Sequence, residues 1–179
     1  MSTFVPNDAV SSFTVPNDPN DISCVIGLYS APLPPASPDE VVVGPQTGSV
    51  VSFHGYTRGD VMASDDRNSV VGLEYSCYVP MAMKMLRSIC SSVPSRCSSS
   101  FSPGAAINRI SISHSIDCLV PLGHASFSVS VHSAHRKEGL VVLEWLLEEV
   151  KGKVPIWKKE VYGGGGTKWC RNKEWRKGV

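Results

Sequence analysis

The sequence predicts an α+β fold. Stretches of strand character dominate the middle of the chain, and two segments of helical periodicity interrupt them. Size agrees: 179 residues, 42% apolar and 18% charged, suit one globular body with a short extension. A body of about 150 residues buries roughly two-thirds of its unfolded surface, so it needs no metal or disulfide staple.

Residues 1–21 hold "FVPND" at 4–8 and "TVPND" at 14–18. Proline, asparagine and aspartate offer little to bury, so this segment reads as a disordered extension, with the domain proper over 22–179. "SCVIGLYS" (23–30) is the first expected strand. The proline-rich 31–40 should be a loop, with Ser37 and Pro38 opening a short helix over 38–43. "GSVVSFHGYTR" (48–58) reads as a strand entering a loop, and 59–68 as a polar excursion. "SVVGLEYSCY" (69–78) is β-branched and aromatic, a second clear strand.

From Pro80 onward, Ala82, Leu86, Ile89, Cys90 and Val93 recur at helical spacing. A serine-rich loop (95–104) and a strand (106–116) follow. In "ASFSVSVHSA" (125–134), Phe127, Val129 and Val131 alternate with serines and His132, the pattern of a half-buried strand. The second helix spans 135–153, with Leu140, Leu143, Leu147 and Val150 as its core stripe. Pro155 stops it and pushes Val154 to extended geometry. Gly163–Gly166 read as a mobile connector, because the spacing of a phosphate-binding loop is absent.

Charge is unevenly spread. Residues 136–179 carry 11 Lys+Arg and 6 Asp+Glu, a balance of +5, against −4 for the rest. Anionic ligands are therefore expected at the C-terminal quarter. The six cysteines show no Cys-x-x-Cys or zinc spacing, and neither a leader pattern nor a membrane-length apolar run is present. The expected setting is cytoplasmic, with reduced thiols.

His135 and Arg136 stand where a strand turns into a helix. Free backbone N–H groups and a guanidinium fork there suit a phosphate; a capped helix with an exposed arginine is the plainer alternative. Lys151 complements the dipole at the other end of that helix, and Lys158 follows the proline. Crowding and burial can turn such lysines into useful nucleophiles or acids. Sixteen residues at about 1.5 Å each separate His135 from Lys151 by about 24 Å. One small ligand cannot touch both. They serve different sites, or a two-fold dimer joins one end of each helix to the opposite end of its mate.

"GSVVSFHGYTR", "SVVGLEYSCYVPMAMKMLRSIC", "SVHSAHR", "LLEEVKGKVPIWKKE" and "KWCRNKEW", in that order, resemble the large, catalytic subunit family of molybdopterin synthase, its eukaryotic members in particular. The resemblance covers about residue 22 to the C-terminus. It implies an α/β hammerhead fold with an additional antiparallel β-sheet. It implies a homodimer binding two small ubiquitin-like sulfur-carrier subunits, a heterotetramer overall. Each carrier ends in a Gly-Gly thiocarboxylate, and two sulfurs pass to cyclic pyranopterin monophosphate to form the molybdopterin dithiolene. No metal, redox cofactor, nucleic acid or membrane is implied.

By the same resemblance Lys151 and Lys158 are the catalytic lysines. Arg58, His135, Arg136 and, more loosely, Lys173 bind substrate; Lys159 and Glu160 adjoin it, and Leu147 lines the carrier channel. "HSID" (114–117) stands where the family usually has His-Arg-x-Gly, and the loop after Arg58 is longer. Two rivals follow from these features: a non-catalytic scaffold of the same fold that binds a ubiquitin-like partner, and a basic tail that stacks nucleic-acid bases on Trp157, Trp169 and Trp175.

Overall fold

The computed structural model describes residues 9–16, 21–34, 43–59, 69–97 and 106–170. Most of the expected short helix, the polar excursion and the serine-rich loop, together with Lys173, lie outside the described residues.

Nine strands and two helices are described: β1 (Ala9–Val15), β2 (Ile22–Tyr29), β3 (Ser49–Tyr56), β4 (Val70–Cys77), α1 (Val79–Cys97), β5 (Ile107–Ser115), β6 (Leu119–Pro121), β7 (Ala125–Ser133), α2 (Arg136–Lys153), β8 (Ile156–Tyr162) and β9 (Thr167–Cys170). A five-stranded sheet has the order β1-β2-β5-β7-β3, with β2 and β5 parallel and the other pairs antiparallel. A four-stranded antiparallel sheet has the order β6-β4-β8-β9. The helices are the crossovers: α1 carries the chain from β4 to β5, and α2 from β7 to β8. The α+β expectation holds.

Register explains the core. Ile26 lies opposite Ile112, Ile112 opposite Val129, and Val129 opposite Phe53, so one face of the large sheet is an apolar band. Ala82, Leu86, Ile89, Cys90 and Val93 of α1 pack on it as expected, and Val142, Leu146 and Val150 of α2 join the same core. Each leucine, isoleucine and valine among them contributes about 1.5–3 kcal/mol on burial.

Three expectations are corrected. Residues 9–15 are not a disordered extension. β1 pairs with β2 along its whole length, Ala9 opposite Leu28 and Val15 opposite Ile22. Between the two Pro-Asn-Asp repeats lies "AVSSFTV", whose Phe13 packs against the core with the Arg87 guanidinium 4.4 Å over its ring. β7 is buried along all nine residues, because β5 and β3 flank it and its serines are small enough to be covered by their neighbours.

The buried stripe of α2 is also rotated. Leu143 and Val150 face the core, but Leu140 is 54% exposed and Leu147 only partly buried; Val142 and Leu146 take their places. Gly139 explains the choice. A Cβ there would lie 2.7 Å from Ser133 Oγ and 3.0 Å from Val51 Cγ2, so this glycine lets the helix approach β7 and β3 closely. Positions 139, 142, 143, 146 and 150 form one helical face, and the close approach selects it.

Candidate active site

The two sheets and the C-terminal end of α2 enclose a cavity of about 930 Å³. Strand alternation decides what enters it. On β8, Ile156, Lys158 and Glu160 point inward; on β4, Leu73 and Tyr75 do. Lys151 arrives from the last turn of α2, where Val154, stopped by Pro155, turns the chain into β8. Seven residues thus bring two lysines from different elements to one cavity.

Arg58 lies just beyond β3. Its backbone is held by a bracket in which Thr57 N–H donates to His124 O at 3.0 Å and Gly123 N–H donates to Thr57 O at 2.8 Å. Thr57 is buried, and the Arg58 side chain, exposed to solvent, lines the cavity mouth. Lys151 Nζ lies 5.2 Å from the centre of the Phe53 ring, a cation–π contact beside the apolar wall.

The four glycines are not slack. They form a tight hairpin turn between β8 and β9, with Gly165 N–H donating to Tyr162 O and Tyr162 N–H to Gly166 O, both at 2.9 Å. Gly165 has φ +85°, a conformation suited to glycine. The hairpin sets Lys168 opposite Glu160 and Cys170 opposite Lys158, so Lys168 and Cys170 line the cavity. Lys168 escaped sequence reasoning; reading the glycines as a turn would have found it by register.

Glu160 is the acid among these cations. The Tyr162 hydroxyl donates to its Oε2 at 2.7 Å, and this bond, helped by the Cys170 thiol and the charges of Lys158 and Lys168, holds the carboxyl below its ordinary range. Burial, with Glu160 adding to it, pushes the Cys170 thiol up, so it is protonated at neutral pH.

Lys159 does not reach the cavity, which corrects the expectation for it. Alternation turns it to the outer face of the small sheet, where it pairs with Glu74 and lies 5.7 Å from the Trp169 ring centre. Both partners are partly exposed, so the pair contributes about 0–1 kcal/mol. Leu147 likewise packs on the core, and Val150 and Val154 line the cavity instead. His135 and Arg136 stand apart, in a second cavity of about 570 Å³ shared with Gly48, Ser49 and Lys137 at the start of α2. One chain therefore separates the anion-binding candidates at the two ends of one helix, as the length estimate requires.

The cavity floor is aromatic. His114 packs edge-on to Tyr75, ring centres 4.8 Å apart, and 5.2 Å from Phe127. Burial holds the His114 imidazole down to about 4. Its ordinary value is about 6.5, so between the two the unfolded chain binds the proton and the folded chain does not. His114's contribution to stability is thus fully present above about pH 6.5 and is lost as pH falls toward 4. Melting temperatures of wild type and His114→Phe between pH 4 and 7 check this: the variant should show the flatter acid slope, and equal slopes would disprove it.

The "HSID" turn places one residue in the left-handed region. Asp117, at the glycine position, has φ 51°, a left-handed conformation that aspartate tolerates. Its N–H donates to Tyr75 O at 2.7 Å, fixing β4 beside β5.

A model of the MoaE protein family matches residues 28–153. The chain belongs to the MoaE family. The molybdopterin synthase catalytic subunit of Rattus norvegicus is 36% identical over 135 residues, 75% of this MoaE chain. The chain spans about three-fifths of that relative's length, 61%. The protein of the same name from Emericella nidulans is 32% identical over 169 residues, covering 94% of this chain and 80% of its own. The crystal structure of molybdopterin synthase from Staphylococcus aureus superposes with a TM-score of 0.65 at 29% identity, covering 80% of this chain and 95% of that one. The mixed sheets and two helices described above are thus the MoaE fold.

Proposed function

We propose that this MoaE chain is the catalytic subunit of molybdopterin synthase. It moves two sulfurs, one from each of two thiocarboxylated small ubiquitin-like subunits in turn, to cyclic pyranopterin monophosphate, forming the molybdopterin dithiolene. The observation that carries the reading is the convergence of Lys151, Lys158 and Arg58 on one cavity. The names of the MoaE relatives support it.

The residues suit the steps. Thiocarboxylate and phosphate are both anions, and fixed cations in a partly desolvated cavity stabilise charge as it shifts between them. Lys151, at the mouth of α2, orients the thiocarboxylate and polarises its carbonyl. Lys158 on β8 moves protons as sulfur attacks the substrate side chain. Glu160, held ionised by Tyr162, places a fixed negative charge beside Lys158 and Lys168. A Gly-Gly tail, lacking side chains, threads a narrow entrance.

The working assembly in this reading is a dimer of MoaE chains with a carrier on each, so that His135 and Arg136 of one chain hold the substrate phosphate beside Lys151 of its mate. The cytosol is the compartment proposed, and the unpaired thiols of Cys24, Cys77, Cys90, Cys118 and Cys170 fit its reducing conditions.

Reconstitution tests the whole reading. The recombinant chain, given thiocarboxylated small subunit and cyclic pyranopterin monophosphate, should form molybdopterin, measured as its fluorescent oxidation product. Tight binding of the small subunit with no product would instead favour a scaffold.

A further inference from the structure

The floor of the main cavity has a hydrogen-bonding polarity that its contacts determine. Ser126 Oγ donates to Gly55 O at 3.3 Å. With that proton given to Gly55 O, Tyr75 Oη, 3.0 Å from Ser126 Oγ, is assigned as the donor in that pair. The phenol hydrogen thus points into the protein, and the remaining lone pair of Tyr75 Oη is an acceptor.

His114 obeys the same logic. Its Nδ1 lies 2.8 Å from Ser115 O, which only accepts, so Nδ1 carries the proton and Nε2 carries a lone pair. His114 is 8% exposed and lines the cavity. Burial keeps both groups uncharged at neutral pH, lowering the imidazole and raising the phenol. Two neutral acceptors, on rings whose centres lie 4.8 Å apart, therefore line the cavity that the cations rim.

We propose that His114 Nε2 and Tyr75 Oη form an acceptor pair that reads a donor–donor edge of a planar heterocycle, the adjacent ring N–H and exocyclic amino group of a 2-amino-4-oxopyrimidine. This rests on the pterin substrate proposed above and assigns the end of that substrate remote from its phosphate. Phe53 and Phe127 supply flat apolar contact, while Arg58 and the lysines at the rim face the anionic end. Ser126 is a positioning residue: through its hydrogen bond it sets the direction of the Tyr75 proton.

The test is a binding cycle on the full-length chain in its assembled state. The probes are 6-hydroxymethylpterin and its N3-methyl analogue, which lacks the ring donor; both are followed by quenching of pterin fluorescence. Wild type should prefer the unmethylated probe by about tenfold or more, because a buried acceptor left unpaired penalises the analogue. His114→Phe and Tyr75→Phe should each bring that ratio toward one, while affinity for a peptide of the carrier's C-terminus stays unchanged. Tyr75→Phe keeps the experiment decisive if His114→Phe folds poorly. Ser126→Ala frees the Tyr75 proton and should also shrink the ratio, an effect that mere loss of packing would not produce. Equal binding of both probes by wild type, or a ratio preserved in both phenylalanine variants, overturns the acceptor pair and leaves the sulfur-transfer reading standing. No binding of either probe by wild type also overturns the acceptor pair, and the sulfur-transfer reading is decided separately by reconstitution.

Discussion

Lys151→Ala is expected to reduce molybdopterin formation by on the order of a hundredfold to a thousandfold, the usual cost of removing a preorganised charge from a reacting centre. The loss should fall on turnover, with little change in affinity for the carrier. Lys151 occupies the last turn of α2, and its ammonium lies in the cavity against the Phe53 ring. The contact it gives up, a cation–π interaction, contributes about 0.5–1 kcal/mol, and its favourable place at the helix C-terminus a similar amount. Neither is enough to unfold a domain whose core is carried by Leu86, Leu146 and Ile112. Catalytic and structural effects therefore separate cleanly: single-turnover assays should collapse while the melting temperature moves by a few degrees. Lys151→Ala with wild-type turnover would remove this lysine from the chemistry. Lys158→Ala offers a comparison, since Lys158 sits on a paired strand opposite Tyr75 and Cys170.

The legible parts of the molecule were those whose information is local. "SVVGLEYSC" and "ASFSVSV" announce strands by β-branched residues and alternation, and Pro80 and Pro155 punctuate the helices. β6 and β8 were not legible, because both are held by β4, distant in sequence, and β9 was not, because it forms only where the four glycines fold as a hairpin turn onto β8. "IWKKEVY" is no better a strand than many charged loops; it becomes β8 by pairing with β4 on one side and β9 on the other. The same holds for α2. Apolar residues at 140–143, 146, 147 and 150 satisfy more than one helical stripe, and only the close approach at Gly139 selects among them. Site residues divide along this line. Lys151, Lys158, Arg58 and Glu160 came from ordered motifs, and the cavity receives all of them. Lys159 was misplaced because motif proximity ignores strand alternation. Tyr75, His114 and Ser126 were missed because their polarity exists only once β4, β5 and β7 are side by side.

Mixing two inactive variants should restore activity. Arg136 begins α2 and Lys151 lies in its last turn, in separate cavities of about 570 and 930 Å³. If each chain had to supply both groups to one substrate, the helix between them would have to be bridged over about 24 Å, far beyond a single pterin. A two-fold dimer removes the conflict by setting the start of one α2 beside the end of the other. Arg136→Ala and Lys151→Ala chains, each nearly inactive alone, should then complement. After unfolding and refolding as a one-to-one mixture, about half the dimers contain one chain of each kind. In every such dimer one site holds both defects and the other holds none, so recovery should approach about a quarter of wild-type activity. The result discriminates sharply, because a site built within one chain has no intact copy in any mixed dimer and would stay at the level of the single variants. Separate native purification followed by mixing gives the control: recovery should then appear only as fast as subunits exchange. Immediate recovery on native mixing would place Arg136 and Lys151 in sites that do not share a substrate, and no recovery after refolding would place both in a site built within one chain.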